Sequence, residues 1–322
     1  MIVRLTLALI AVLPAAMAYP WRSTVDWWLF GTAVAVVAVV FARWRGLFLT
    51  TLLGRRIALW RRRGHDASGR PSPESATVAL RVRSGEVTAL PVRIVAAYLD
   101  RYGVRLDTVR VVSRDLGGVR TSWIGLTLAA AGNIAALQAR SSSIPVHDTV
   151  AVAARRLADH LRELGWHVVV DEAPVGPVSA QAVETWRGMR DDQGVLAAYR
   201  IAADDDLADT LAALWASGST EVWTVLQLTG GRTHPEVTVA CAVRTPEKPD
   251  AGSVLPGLAL ERGVHLPALT AMRPASGRRL SAAPVQVPPA VLADLHWPIG
   301  PQLSRTSTDR ESASSGADSR AG

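Results

Sequence analysis

Two apolar runs followed by a block of arginines constrain this chain more than any other feature. Residues Ile2 to Tyr19 are apolar apart from Arg4 and Thr6, and Trp27 to Ala42 carry no charge. Seven arginines then fall between Arg43 and Arg63 with no acidic residue among them. A helix needs roughly 20 apolar residues to cross the hydrocarbon layer, with a lower limit near 17, so each run predicts a short membrane span. Tyr19, Trp21, Trp27 and Trp28 cluster between the runs, where amphipathic rings favour the headgroup layer. The alternative for the first run is a cleaved signal peptide, because Arg4, the run Leu5–Leu13 and Ala16-Met17-Ala18 fit that pattern. Either way the arginines are expected to stay on the cytoplasmic face and to hold there everything after Arg43. Leu49, Leu52, Leu53, Ile57 and Trp60 recur at helical spacing, consistent with an interfacial helix or with a continuation of the second span. Such a helix would place Arg43–Arg63 against anionic lipid.

The charge is local. Residues 1–70 hold ten arginines against Asp26 and Asp66, so most of a chain with formal net charge +7 is close to neutral. A domain that grips a phosphate backbone carries its cations on itself, which argues against a nucleic-acid partner. The predicted organisation is therefore two transmembrane helices in 1–45, an Arg-rich juxtamembrane helix and linker in 46–75, a cytoplasmic domain in 76–300 and a disordered tail in 301–322.

Within 76–300 the patterning alternates. Thr77–Arg83, Val104–Val112, Thr121–Ala130, Trp166–Val170 and Val195–Ile201 read as strands, and Glu221–Leu228 with Pro235–Arg244 as two strands joined by a Gly-containing loop. Pro91–Tyr102, Asp148–Leu164, Ala180–Arg190 and Asp204–Ala216 read as helices. The stripe Val150, Ala154, Leu157, Leu161 and Leu164, followed by Gly165, is the clearest of these. Strands alternating with helices predict an α/β fold with a mixed sheet. Beyond Thr245 the density of proline leaves room only for short strands.

No catalytic set emerges from the residues. Asp204-Asp205-Asp206 contains the Asp-x-Asp spacing that metal-dependent nucleotide-sugar enzymes use, but it also stands where carboxylates complement a helix N-terminus. Asp148, after His147, reads as another helix-terminus carboxylate. His160 and Glu163 lie three apart with no second histidine and do not make a zinc site. His167, His234, His265 and His296 are isolated. Cys241 is the only cysteine, which excludes an internal disulfide, and its apolar-alternating surroundings predict a buried thiol. Gly117-Gly118 and Gly230-Gly231 sit between strands as turn residues. The only lysine is Lys248, so no Gly-x-x-x-x-Gly-Lys phosphate loop exists. Catalytic, cofactor and metal residues are accordingly none.

Ser122-Trp123-Ile124-Gly125-Leu126-Thr127 and Asn133-Ile134-Ala135-Ala136-Leu137-Gln138-Ala139-Arg140, set behind the apolar runs and the arginines, resemble the EccE family of type VII (ESX) secretion systems. The resemblance runs from residue 1 to about 300. It implies a non-enzymatic structural subunit of a membrane-embedded export complex, assembled with the EccB, EccC and EccD components. It further implies that the cytoplasmic domain is a degenerate glycosyltransferase-type fold. The alternative from the residues is a membrane-tethered glycosyltransferase-like enzyme using Asp204 and Asp206.

Overall fold

The computed structural model describes residues 2–17, 24–41, 43–44, 47–48, 55–56, 74–84, 89–141, 143–231, 234–249, 255–287, 292 and 295–300. It divides into two compact units, Met1–Asp66 and Ala67–Gly322.

In the first unit α1 (Ile2–Met17) packs on α2 (Thr24–Phe41), with Ala15 and Ala33 buried where small side chains let the two backbones approach. Much of the remaining apolar surface is exposed, including Leu9, Ile10, Leu13, Trp27 and Trp28. The expectation of two transmembrane helices is corrected here: among the described residues no helix is long and apolar enough to cross a membrane. The reason is geometric. The 16 residues of α1 rise about 24 Å and are interrupted by Pro14, and the 18 residues of α2 rise about 27 Å and begin in a polar turn containing Asp26. The first lies below the limit near 17 residues, and the second reaches it only by counting the turn that contains Asp26. Arg43–Trp44 then pairs antiparallel with Leu47–Phe48, a small hairpin where helix was expected. Most of the predicted juxtamembrane helix and linker, and all of the predicted tail at 301–322, lie outside the described residues.

The second unit is built on eleven strands. In chain order these are β1 (Ser75–Arg83), β2 (Thr108–Leu116), β3 (Val119–Ala129), β4 (His167–Asp171), β5 (Val183–Thr185), β6 (Gly188–Asp191), β7 (Gly194–Ile201), β8 (Glu221–Gly230), β9 (Pro235–Thr245), β10 (Leu258–Leu260) and β11 (Val285–Gln286). They run side by side as β5-β6-β7-β9-β8-β2-β3-β1-β4, with β10 on β7 and β11 on β9. Every pairing is antiparallel. The predicted mixed α/β sheet, and with it the glycosyltransferase-type fold, is therefore replaced by one large antiparallel sheet.

Local chemistry explains the difference. Gly117 and Gly118, at φ 56° and 81°, make a two-residue turn whose left-handed backbone matches strand twist and joins β2 to β3. Residues 180–190, expected as a helix, instead contribute β5 and β6. Gly188 is needed there because a Cβ would lie 2.5 Å from Val195 Cγ1 of β7. The long helix α3 (Val146–Glu163) and the shorter α4 (Leu207–Trp215) form close to where their stripes predict.

The sheet is buried on both faces. On one, Val78, Leu80, Val111, Ile124, Leu126 and Leu226 pack beneath α3, α4 and the turns at Val92–Leu99. On the other, Trp123, Trp223, Val225 and Ala242 pack beneath α5 (His265–Ala271) and Leu280. Double burial is why β8 has a nearly unbroken run of buried residues.

A polar belt crosses that second face. Trp123 and Trp223 stack at 5.9 Å with planes 9° apart. Trp123 Nε1 donates to Asp171 Oδ2 at 2.9 Å, and Trp223 Nε1 donates to Glu221 Oε1 at 2.9 Å. Arg81 closes one end on Asp171, while Arg114 and Arg244 close the other on Glu221, and Arg244 continues to Asp191 on β6. Burial alone would raise the Asp171 carboxyl, but the hydrogen bonds from Trp123 and Arg81 outweigh it and hold the group below the ordinary 3.8.

Arg110 is 1% exposed and bears on the same face. It donates to the carbonyls of Ala271, Arg273, Ser276 and Arg278 and to Gln227 Oε1. The chain after α5 is thus strapped across β2 and β3. Burial lowers the guanidinium to about 10, partly offset by Asp107, so it remains charged at neutral pH.

This strap predicts two outcomes. A Cβ on Gly125 would lie 2.2 Å from the Pro274 carbonyl oxygen, whereas one on Gly132 meets nothing within 4 Å. Gly125→Ala is expected to cost about 2–4 kcal/mol in chemical denaturation and Gly132→Ala less than about 1. Asp171→Asn is expected to cost about 1–3 kcal/mol at pH 7 through weakened charge-assisted hydrogen bonds. Because the native carboxyl is depressed, its stabilisation is complete above the unfolded value near 3.8 and fades as pH falls through the lower native value. The gap between wild type and variant should therefore narrow below about pH 4 in a series of thermal melts.

Candidate functional site

The residues singled out from the sequence do not converge. Asp204, Asp205 and Asp206 are exposed ahead of α4. Asp206 occupies the N-cap position, its carbonyl accepting from Thr210 N–H, yet its side chain makes no capping hydrogen bond. Asp148 lies in the first turn of α3 with His147 Nδ1 3.8 Å away. His265 is buried and its Nδ1 accepts from Ala198 N–H. Cys241 is buried in β9 and burial pushes its thiol far up, which removes its nucleophilicity. Among the described residues no three His, Cys, Asp or Glu side chains stand together as a metal site.

A different set does converge, where a small hairpin meets α3. Asp100–Arg101 pairs with Val104–Arg105 through a turn at Tyr102-Gly103, with φ 59° and 70°. Such a turn favours Asn-Gly, because a left-handed backbone is costly for a bulky side chain. Tyrosine at its first position therefore costs stability, and its ring is what the turn presents. The Tyr102 ring is half exposed, with the Arg101 guanidinium carbon 5.0 Å and that of Arg156 4.5 Å from its centroid. Beneath, Tyr98 stands edge-on to Tyr102 at 6.3 Å and donates its hydroxyl to the Arg156 carbonyl at 3.1 Å, fastening the hairpin to α3. Burial pushes the Tyr98 phenol up to about 12 against the pull of Arg101, so it stays a donor.

Tyr102 forms one wall of a groove of about 330 Å³ whose other walls come from α3 and the segment before it. Arg101, Arg140 and Arg156 supply three cations and Asp148 one anion. Val152, 42% exposed, adds an apolar patch. The approach to α3 is also strained. Ile144 has φ 50°, an outlier for a β-branched residue and doubly unfavourable before Pro145. Tyr102 and Ile144 are the non-glycine residues with positive φ among those described; Tyr102 lines this groove, and Ile144 stands in the chain between Ser143 and Pro145, which do. Across Arg101 a second concavity, about 360 Å³, is lined by Arg93, His160 and Leu292 among others, and His160 Nδ1 has no hydrogen-bond partner among the described residues.

Of these residues the sequence singles out Asp148, as a helix-terminus carboxylate, His160, as no zinc ligand, and Arg140, at the end of the Asn133–Arg140 stretch, but none as part of a groove. The available signal was Tyr-Gly in a tight turn between polar strands. Asn133 itself is structural: its Oδ1 accepts from Arg105 N–H, and its amide donates to the carbonyls of Arg105 and Ala129. Relief of backbone strain predicts that Ile144→Gly is neutral or stabilising by up to about 1 kcal/mol, because strain of about 1–3 kcal/mol offsets the greater unfolded-state freedom of glycine. A loss above about 1 kcal/mol in urea titration would contradict the strain.

A family model described as "Putative type VII ESX secretion system translocon, EccE" matches residues 117–201, spanning β3, α3 and β4 to β7. The ESX-3 secretion system protein EccE3 of Mycolicibacterium smegmatis is 46% identical over 291 residues, covering 90% of this chain and 94% of that protein. The proteins of the same name from two Mycobacterium tuberculosis strains are 45% identical over 306 residues, covering 92% of this chain and 91% of theirs. At such identity over nearly the whole length, the chain belongs to the EccE family.

Proposed function

We propose that this chain is a structural subunit of an ESX type VII secretion system, of the ESX-3 kind, and that it acts without catalysis of its own. The observation that carries the reading is the near-complete coverage of proteins named as ESX-3 secretion components. The architecture suits such a role. Ionisable side chains on the sheet's second face are paired with one another across strands, which holds a rigid platform. The surface offers a groove with cations and a tyrosine for contact. Its partners on this reading are the EccB, EccC and EccD components.

The exposed apolar surface of α1 and α2 supports association with a membrane or with apolar partner helices, since surfaces of this kind are rarely left uncovered. The arginines between Arg43 and Arg63 supply attraction to anionic lipid of roughly 1 kcal/mol each near the surface. The sheet-bearing unit then lies on the cytoplasmic side. The aspartates of the Asp204–Asp206 run attract no second ligand group among the described residues, so nothing favours the enzyme reading.

A tagged copy extracted from membranes in mild detergent is expected to bring down EccB, EccC and EccD, and deletion of its gene is expected to abolish export of ESX-3-dependent proteins. Recovery of the lone chain together with unimpaired export would overturn the proposal.

A further inference from the structure

We propose that the groove between the Tyr102 turn and the first three turns of α3 is a docking site for an acidic peptide segment of a partner protein. Arg101, Arg140 and Arg156 would hold it through carboxylates.

Three observations select this occupant. First, the cations are available. Arg81, Arg114, Arg120, Arg162, Arg244 and Arg279 each meet a carboxylate within 4 Å, whereas Arg101, Arg140 and Arg156 meet none among the described residues. Against them the groove sets only Asp148. Second, two of the cations are held beside one ring, the Arg101 and Arg156 guanidinium carbons lying 5.0 and 4.5 Å from the Tyr102 centroid, and a cation–π contact leaves guanidinium N–H groups for the two-point pairing that carboxylates accept.

Third, the groove is elongated. Asp148 and Arg156 both line it and lie eight residues apart on one helix, which is about 12 Å of rise. A single phosphate or headgroup spans a few ångström and would leave most of that length, including the exposed Val152, uncovered. An extended peptide covers that length with about four residues at roughly 3.3 Å each. Carboxylates at one end would meet Arg101 and Arg156, and an apolar side chain between them would cover Val152 and the Tyr102 ring. The strained backbones of Tyr102 and Ile144 on either side fit a surface shaped for contact rather than for stability. This binding requires only the groove, whichever assembly the chain joins.

The test uses the full chain in mild detergent and a fluorescein-labelled peptide, Asp-Leu-Glu-Asp-Leu-Glu, read by fluorescence anisotropy. Its amide counterpart, Asn-Leu-Gln-Asn-Leu-Gln, is expected to bind roughly tenfold or more weakly, and the acidic peptide to weaken as salt rises. The pair Arg140→Glu with Arg156→Glu should abolish binding, whereas Arg155→Glu, on α3 but outside the groove, should leave it unchanged. Thermal melts confirm that each variant is folded, and the exposed single change Arg140→Gln should still reduce affinity several-fold if the double variant does not fold. Equal affinity for acidic and amide peptides, or binding indifferent to Arg140 and Arg156, would overturn the proposal. So would preference for equimolar phosphatidylcholine and phosphatidylserine vesicles that is lost in the Arg140/Arg156 pair while the peptide fails to bind.

Discussion

The stacked indoles of Trp123 and Trp223 are the joint on which the sheet-bearing unit depends. One comes from β3 and the other from β8, with β2 between them. Aromatic stacking contributes about 0.5–1.5 kcal/mol beyond the area it buries. The larger effect is placement. Each ring N–H needs an acceptor once buried, and Asp171 and Glu221 supply them. Those carboxylates in turn need cations, and Arg81, Arg114 and Arg244 come from three further positions across the sheet. Burying a charge without its partner would cost several kcal/mol, so the belt fixes strand register on both sides of the tryptophans at once.

Legibility followed physical range. The stripe of α3 and the alternation of β8 and β9 are local patterns, and they appear in the structure within a residue or two of their expected limits. Strand partners are not local. Nothing in Thr77–Arg83 indicates that it lies between β3 and β4, and the assumption that alternating elements imply parallel crossovers produced a mixed sheet where a wholly antiparallel one exists. Residues 180–190, expected as a helix, form strands for a related reason: the close approach of Gly188 to Val195 of β7 is a contact with a different strand, invisible in the local pattern. The two apolar runs were read by composition: the first forms a helix that stops at Met17, short of Tyr19, and the second forms one that starts earlier, at Thr24, and so takes in Asp26. The groove was the least legible feature, because Arg101, Arg140 and Arg156 come from three separate segments. Tyr102 and Ile144 betray themselves only through a dihedral angle.

The family resemblance rested on Ser122–Thr127 together with Asn133–Arg140, and the structure gives each residue of the first stretch a physical task. Ser122 shares a hydrogen bond with Ser113, which also accepts from Trp297 Nε1. Trp123 is half of the stacked pair. Ile124 and Leu126 face the α3 side of the core. Gly125 leaves room for the Pro274 carbonyl, and Thr127 meets Thr77 across the strand pair. A recognisable stretch without catalytic content is thus a packing node, where a central strand meets its neighbours and the strap that crosses them.

The Arg110 strap also sets an order of events at the ribosome. Arg110 and the carbonyls that receive it are separated by 161 to 168 positions in the chain, and Trp297 reaches Ser113 across 184. At a synthesis rate of about 5–20 residues per second, β2 and β3 emerge roughly ten to thirty seconds before the segment that covers them. Through that interval one face of the nascent sheet carries an unmatched guanidinium and a bare glycine on a central strand. Burial of that cation must therefore wait for the carbonyls that arrive last, because a guanidinium buried without them would cost several kcal/mol.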